Sequence, residues 1–101
     1  MRICAVDLET TDLKAMMGTL LCGSFQPIIP PEYGAPEAYT IHIVAKKHSK
    51  DPNPDKQLAM MLRDEIERYD EIVTWNGKMF DVPFLNARLL KHNERPVRPR
   101  F

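Results

Sequence analysis

Apolar and polar positions alternate in short blocks along this chain, and the blocks predict a mixed α/β order. Residues 2–8 read RICAVDL, an apolar run that suits a buried strand with a carboxylate, Asp7, near its C-terminal end. Residues 20–25 form a second apolar stretch after the Gly18 turn signal. Residues 38–45 (AYTIHIVA) alternate and carry β-branched side chains, which predicts a third strand. Between these two stretches Pro27, Pro30, Pro31, Gly34 and Pro36 crowd together, which describes a loop and not an element.

Residues 54–69 form the clearest helical pattern. Asn53 can act as N-cap with Pro54 at the first helical position, where a missing N–H removes no bond. Leu58, Met61, Leu62, Ile66 and Tyr69 recur at three- and four-residue spacing as one apolar stripe, opposite Arg63, Asp64, Glu67 and Arg68. Residues 71–75 (EIVTW) predict a fourth, short strand, and Asn76-Gly77 a turn. A second helix is expected from about Asp81 to about His92, with Phe84, Leu85, Arg88 and Leu89 on one face and Pro83 tolerable because it lies in the first turn. After Asn93 the chain reads ERPVRPRF, which its two prolines make extended.

The order strand, strand, strand, helix, strand, helix suits a parallel pair between the first strand and the strand after the first helix, with the other two added by hairpins. Ligands of such sheets gather at the carboxyl ends of the parallel strands. Asp7, Glu9 and the Asn76 turn all belong to that edge.

Composition sets outer limits. The chain has 101 residues, 44% of them apolar and 28% charged, which are ordinary proportions for one soluble domain with a modest core. A coiled coil, a collagen and a wholly disordered tail are excluded. No apolar run approaches the roughly 18 residues of a membrane span, and no N-terminal run reads as a signal peptide, so a cytoplasmic protein is the default expectation. Fourteen Lys and Arg balance fourteen Asp and Glu. The stretch from Arg88 to Phe101 is locally cationic through Arg88, Lys91, Arg95, Arg98 and Arg100, as a phosphate-binding patch or a solvated terminus would be. Cys4 and Cys22 each sit inside an apolar run, which fits two buried thiols better than a disulfide.

Asp7 and Glu9 stand two residues apart at a strand end, so both side chains point to one side of the sheet. Two carboxylates held that close repel each other unless a cation lies between them, and an all-oxygen donor set favours Mg²⁺ or Mn²⁺. Paired metals of this kind promote in-line attack on a phosphodiester. An Asp-x-Glu pair alone is equally an ordinary acidic surface. Asp81 adds weight, because it lies within MFDVPFL, an apolar surround in which a lone aspartate is costly; helix capping is its structural alternative.

Two strings carry a family resemblance. DLETTDL (residues 7–13) resembles the first motif of the DEDD 3′–5′ exonucleases, whose fold is ribonuclease H-like. NGKMFDVPFLNARLL (residues 76–90) resembles the second motif, in the form found in the proofreading domains of family B DNA polymerases and their stand-alone relatives. Asp12 stands where many relatives have glycine. The resemblance covers nearly the whole chain but only the first part of the family's domain, and so implies a truncated ribonuclease H-like mixed sheet of about four strands and two main helices over residues 1–101.

The resemblance also implies roles. Asp7 corresponds to the carboxylate touching both metals, Glu9 to the ligand that also orients the attacking water and the terminal 3′-hydroxyl, and Asp81 to the aspartate serving the other metal, partly through water. Asn76 and Phe80 correspond to residues lining the strand-binding cleft. Leu13 corresponds to a side chain packing against the terminal base, and Thr10 and Thr11 offer backbone or hydroxyl contacts beside it. Core packing is the alternative role for Leu13 and Phe80. The implied activity is metal-dependent release of nucleotides from the 3′ end of a single strand, with the polymerase-like second motif favouring DNA over RNA.

A third motif, with a fourth aspartate and a Tyr or His that positions water, is not present; Tyr69 and His92 do not match it. The expectation is therefore an incomplete site, weakly active or inactive by itself, with an uncovered sheet face and edge that invite a homodimer or the missing C-terminal segment. The second functional class is a non-catalytic nucleic-acid-binding or assembly module that keeps the fold. A remnant without function is the third.

Overall fold

Alternation along the first strand decides how this fold is layered. The computed structural model describes residues 2–11, 18–28, 37–42, 54–74 and 81–98. These contain β1 (Ile3–Thr10), β2 (Leu20–Ile28), β3 (Tyr39–His42), α1 (Lys56–Ile66), β4 (Glu71–Val73) and α2 (Val82–Lys91). The sheet order is β3-β2-β1-β4, antiparallel at β1–β2 and β2–β3 and parallel at β1–β4. The chain is thus an α/β fold, a four-stranded mixed sheet with two helices, of the partial ribonuclease H-like form expected from its sequence.

Cys4, Val6 and Leu8 point from β1 into the core, where they meet Phe25 of β2, Ile72 of β4 and the apolar faces of both helices. Asp7 and Glu9 point the other way and are exposed. The register places Ser24 opposite Asp7 and Cys22 opposite Glu9 on that second face, with Thr40 and His42 next in line on β3. Both cysteines are free, but only Cys4 is buried; Cys22 is half-buried on the outer face, not sequestered in the core. Gly23 faces inward beneath α1, where a Cβ would overlap Leu62 and crowd Leu8 and Phe25.

Several local expectations are corrected. Pro27 lies inside β2, opposite Cys4, and not in a loop. The last β2–β3 pair is Phe25 with Tyr39, so among the described residues β2 is an edge at Pro27, and edges admit proline. Residues 43–45 of the third predicted strand, Trp75 of the fourth, and the Asn76-Gly77 turn lie outside the described residues, as does Asn53. The residue at the start of α1 is Asp55, with Pro54 in the preceding turn. The buried stripe of α1 is Leu58, Ala59, Leu62, Arg63 and Ile66, turned away from Met61, which is exposed. Arg63 is covered because residues 94–98 fold back across it: its guanidinium donates to Glu94 Oε2 at 3.5 Å and to the Arg95 carbonyl at 3.3 Å.

The cationic C-terminal stretch is likewise docked. The Arg95 fork grips both Glu67 oxygens at 2.7 Å, the Val97 N–H donates to Asn86 Oδ1 at 2.7 Å, and the Val97 side chain is buried. Lys91 and Arg98 are exposed, while Arg100 lies outside the described residues. Asn93, with φ of 59°, reverses the chain at the end of α2: its N–H donates to Leu90 O and that of Glu94 to Leu89 O, a Schellman closure.

Buried charge joins the layers. Asp55 is 2% and Arg88 1% exposed. Arg88 donates from Nε to Asp55 Oδ2 at 2.8 Å and from its second terminal nitrogen to Oδ1 at 2.9 Å. His92 Nε2 lies 2.8 Å from the same Oδ1, and the Leu20 N–H donates to Oδ2 at 3.0 Å. One carboxylate thus ties the start of α1, the start of β2 and two turns of α2. Burial pushes this carboxyl up, but the bonds from Arg88, Leu20 and His92 and the charge of Arg88 outweigh it and bring it from 3.8 to about 2.

Removing one partner strands the other as a buried ion. Arg88→Met is therefore expected to lower unfolding free energy by about 3–5 kcal/mol, read from urea denaturation at neutral pH. Because the folded carboxyl titrates below the unfolded one, its contribution is complete above 3.8 and is lost as pH falls through about 2. The unfolding free energy of the wild-type chain, read from urea denaturation, should fall between about pH 4 and about pH 2 by on the order of 2 kcal/mol from this group, and the urea midpoint should fall with it. A flat midpoint over that interval contradicts the assignment.

Candidate nuclease site

The carboxyl end of β1 is where the candidate residues meet. Its two-residue period sets Asp7 and Glu9 on the outer face. A register shift between Glu9 and Thr10 makes Leu21 an extra residue on β2, a bulge of the kind that re-aims side chains at strand ends. The neck of the β1–β2 connection is closed by Thr11, whose N–H donates to Thr19 O at 3.0 Å while its Oγ1 accepts from the Thr19 N–H at 2.8 Å. Thr10 is half-buried at the end of β1 and Thr11 exposed just past it. Leu13, Asn76 and Phe80 lie outside the described residues.

Asp81 arrives from the other direction. It stands at the N-terminus of α2 in helical conformation, with φ of −60° and ψ of −51°, and makes no side-chain capping bond. Its Oδ2 instead accepts the Leu8 N–H at 3.3 Å. The setting is geometric: among the described residues β4 pairs with β1 from Ile3 to Ala5, and the Leu8 N–H further along that edge needs an acceptor. The carboxylate supplies it, across 73 residues of sequence.

Electrostatics make this position unfavourable for a charge. Asp81 is 5% exposed, and burial raises its carboxyl above the ordinary range; the Leu8 bond opposes this, while Asp7 and Glu9 add to it. The same two acids, after burial, raise the Cys22 thiol. Three carboxylates therefore share one field, with oxygen donors suited to a hard divalent cation. They do not close on a single point: among the described residues no three His, Cys, Asp or Glu side chains stand ready to hold a metal ion. Asp81 is engaged by its bond to Leu8, whereas Asp7 and Glu9 are exposed side chains.

Beside Asp7 the outer face forms a shallow apolar groove of about 390 Å³, lined by Ala5, Phe25, Gln26, Val73 and Thr74 among others. Ser24 and Thr40 add hydroxyls 3.3 Å apart on the same face. These β2 and β3 neighbours were not among the residues expected from the sequence, because nothing in a single strand announces its register partners.

The topology and the acidic strand end agree with a comparison across protein families, in which the RNase H superfamily matches residues 4–100. The chain belongs to the RNase H superfamily. Among solved structures, the family B DNA polymerase from the hyperthermophilic archaeon Pyrobaculum calidifontis is similar, with a TM-score of 0.66 at 15% sequence identity. That similarity covers 92% of this chain and 11% of the polymerase, and it concerns the fold. No curated protein matches. In this sheet Asp7 and Glu9 lie on β1, an interior strand, and Asp81 opens the helix after β4, the parallel neighbour of β1.

Since ionised Asp81 is disfavoured in the folded chain, it lowers stability above its raised pKa and has no such effect below the ordinary carboxylate value. Asp81→Asn keeps an oxygen for the Leu8 N–H and removes the charge. It is expected to raise the melting temperature of the metal-free protein by a few degrees at neutral pH. The difference should shrink as pH falls through the raised pKa, and thermal unfolding over a pH series checks it.

Proposed function

We propose that this chain forms the metal-binding part of a DEDD-type 3′–5′ exonuclease domain, acting on the 3′-terminal phosphodiester of single-stranded DNA or RNA. The observation that carries the reading is the placement of buried Asp81 on the backbone N–H between Asp7 and Glu9. RNase H superfamily membership supports a nucleic-acid substrate and divalent metal use, and the polymerase-like fold supports the exonuclease type.

In this reading Asp7, Glu9 and Asp81 would hold Mg²⁺ or Mn²⁺, which would supply an activated water and stabilise the leaving oxygen. Asp7, exposed on the outer face of β1, would lie toward the scissile phosphate. Glu9, exposed one pleat further along, accepts a hydrogen bond from the attacking water or the terminal 3′-hydroxyl. Asp81 is placed beside the end of β1, where its Oδ2 accepts the Leu8 N–H. Thr11 has its N–H and its Oγ1 lone pair engaged with Thr19, and its hydroxyl proton is the group it would offer to a terminal nucleotide.

The apolar groove on the outer face favours a second reading, a non-catalytic assembly module. One assay separates the two. At most weak nucleotide release from a 3′-labelled single strand is expected with Mn²⁺ or Mg²⁺, as an incomplete site would give; it should stop with chelator and be lost in Asp7→Ala. Metal binding without release places the missing function in a further segment or chain. Neither metal binding nor release favours the assembly module.

A further inference from the structure

The helix that carries Asp81 is pinned to the sheet at a second place. Asp81, Leu85, Arg88 and His92 follow one another at helical spacing and share a face of α2, and Leu85 and Arg88 are fully buried there. The Leu8 N–H holds the first of these residues. Asp55 holds the last two, and Asp55 in turn accepts the Leu20 N–H of β2. The two attachments are two helical turns apart, about 10 Å along the axis.

Apolar packing keeps α2 on the sheet but is non-directional, so it resists separation more than rotation or sliding. The forked Arg88–Asp55 bonds are directional and short, at 2.8 and 2.9 Å. The Asp81–Leu8 bond is 3.3 Å long, close to the outer limit of hydrogen-bond geometry. It also places a charge where burial and two neighbouring acids oppose it. A weak, disfavoured contact at one end of the face is matched by a strong one at the other.

We propose that Asp55, through Arg88, is a positioning residue for Asp81: it fixes the rotation and axial placement of α2 that bring the Asp81 carboxylate to the end of β1. Its consequence for metal binding rests on the nuclease reading.

The test compares the wild-type chain with Asp55→Asn/Arg88→Met. This pair keeps an acceptor for the Leu20 N–H and leaves no buried ion unpaired, so the variant is expected to fold. Two readouts are taken: hydrogen exchange of the Leu8 amide by NMR, and Mn²⁺ affinity by calorimetry. The Leu8 amide should exchange at least about tenfold faster while the other β1 and β2 amides keep their protection, which a general loss of stability would not produce. Mn²⁺ affinity should fall about 10-fold to 100-fold. Unchanged Leu8 exchange in the folded variant overturns the proposal, as does unchanged Mn²⁺ affinity where the wild type binds the ion. If the double variant does not fold, Arg88→Lys keeps the charge without the fork and carries the same readouts and the same expected directions. A wild-type chain that binds no Mn²⁺ sinks the nuclease reading, and Leu8 exchange then decides the positioning role by itself.

Discussion

One buried carboxylate joins the two layers of this fold. Asp55 takes hydrogen bonds from an arginine of α2, contacts a histidine one turn further on, and accepts the first N–H of β2, all from the residue that opens α1. Without it, the Arg88 guanidinium and the Leu20 N–H would lose the carboxylate they share in the core. The apolar cluster supplies most of the attraction between helices and sheet, since Leu58, Leu62, Ile66, Leu85 and Leu89 are all buried against β1 and β2. Asp55 supplies direction. A second polar tie works at the other end of α1, where the Tyr39 hydroxyl of β3 bonds Glu65 and lies 2.6 Å from that of Tyr69.

The same economy of position shapes the candidate site. β1 is both the core strand and the acidic strand, because its pleat sends Cys4, Val6 and Leu8 inward and Asp7 and Glu9 outward. A slip of one residue in its pairing would bury the acids and expose the core, so the fold itself enforces the side of the sheet on which the acids lie. The short reach of β4 then matters. Among the described residues its pairing runs from Ile3 to Ala5, and Asp81 enters further along that edge of β1.

Much of this was legible in the sequence, and the misses have a common cause. The apolar run at residues 2–8 and the spacing of Phe84, Leu85, Arg88 and Leu89 are local signals, and the structure bears out a strand and a helix there. The antiparallel hairpins and the parallel β1–β4 pair follow from element order. What local reading cannot supply is a partner far along the chain. Asn53-Pro54 satisfies every rule for a helix start, yet Asp55 occupies that position, chosen by Arg88 at a distance of 33 residues. Arg88 itself was a clue, since a cation on an otherwise apolar helix face requires a buried acid. Met61 and Arg63 exchanged their expected places because residues 94–98 lie over Arg63, and no periodicity within α1 records a segment packed against it. The cationic tail was legible as charge but not as ion pairs. In the site, the common face of Asp7 and Glu9 was readable, whereas the acceptor role of Asp81 depends on where β4 ends.

Asp81 is also the residue that folding alone explains least. The Leu8 N–H needs an acceptor, and an asparagine oxygen would serve without bringing a charge into a site 5% exposed and shared with two acids. Helix capping does not account for the aspartate either, because its carboxylate makes no capping bond. The feature left unexplained by stability is the negative charge itself. A divalent cation reverses the sign of that account: the desolvation and mutual repulsion that disfavour three carboxylates in the metal-free chain become attraction once positive charge lies among them. The chemistry of the donor set, all oxygen and all acidic, then selects a hard ion over a soft one. The unfavourable charge at Asp81 is thus the physical link between the packing of α2 on the sheet and the nuclease reading of the strand end.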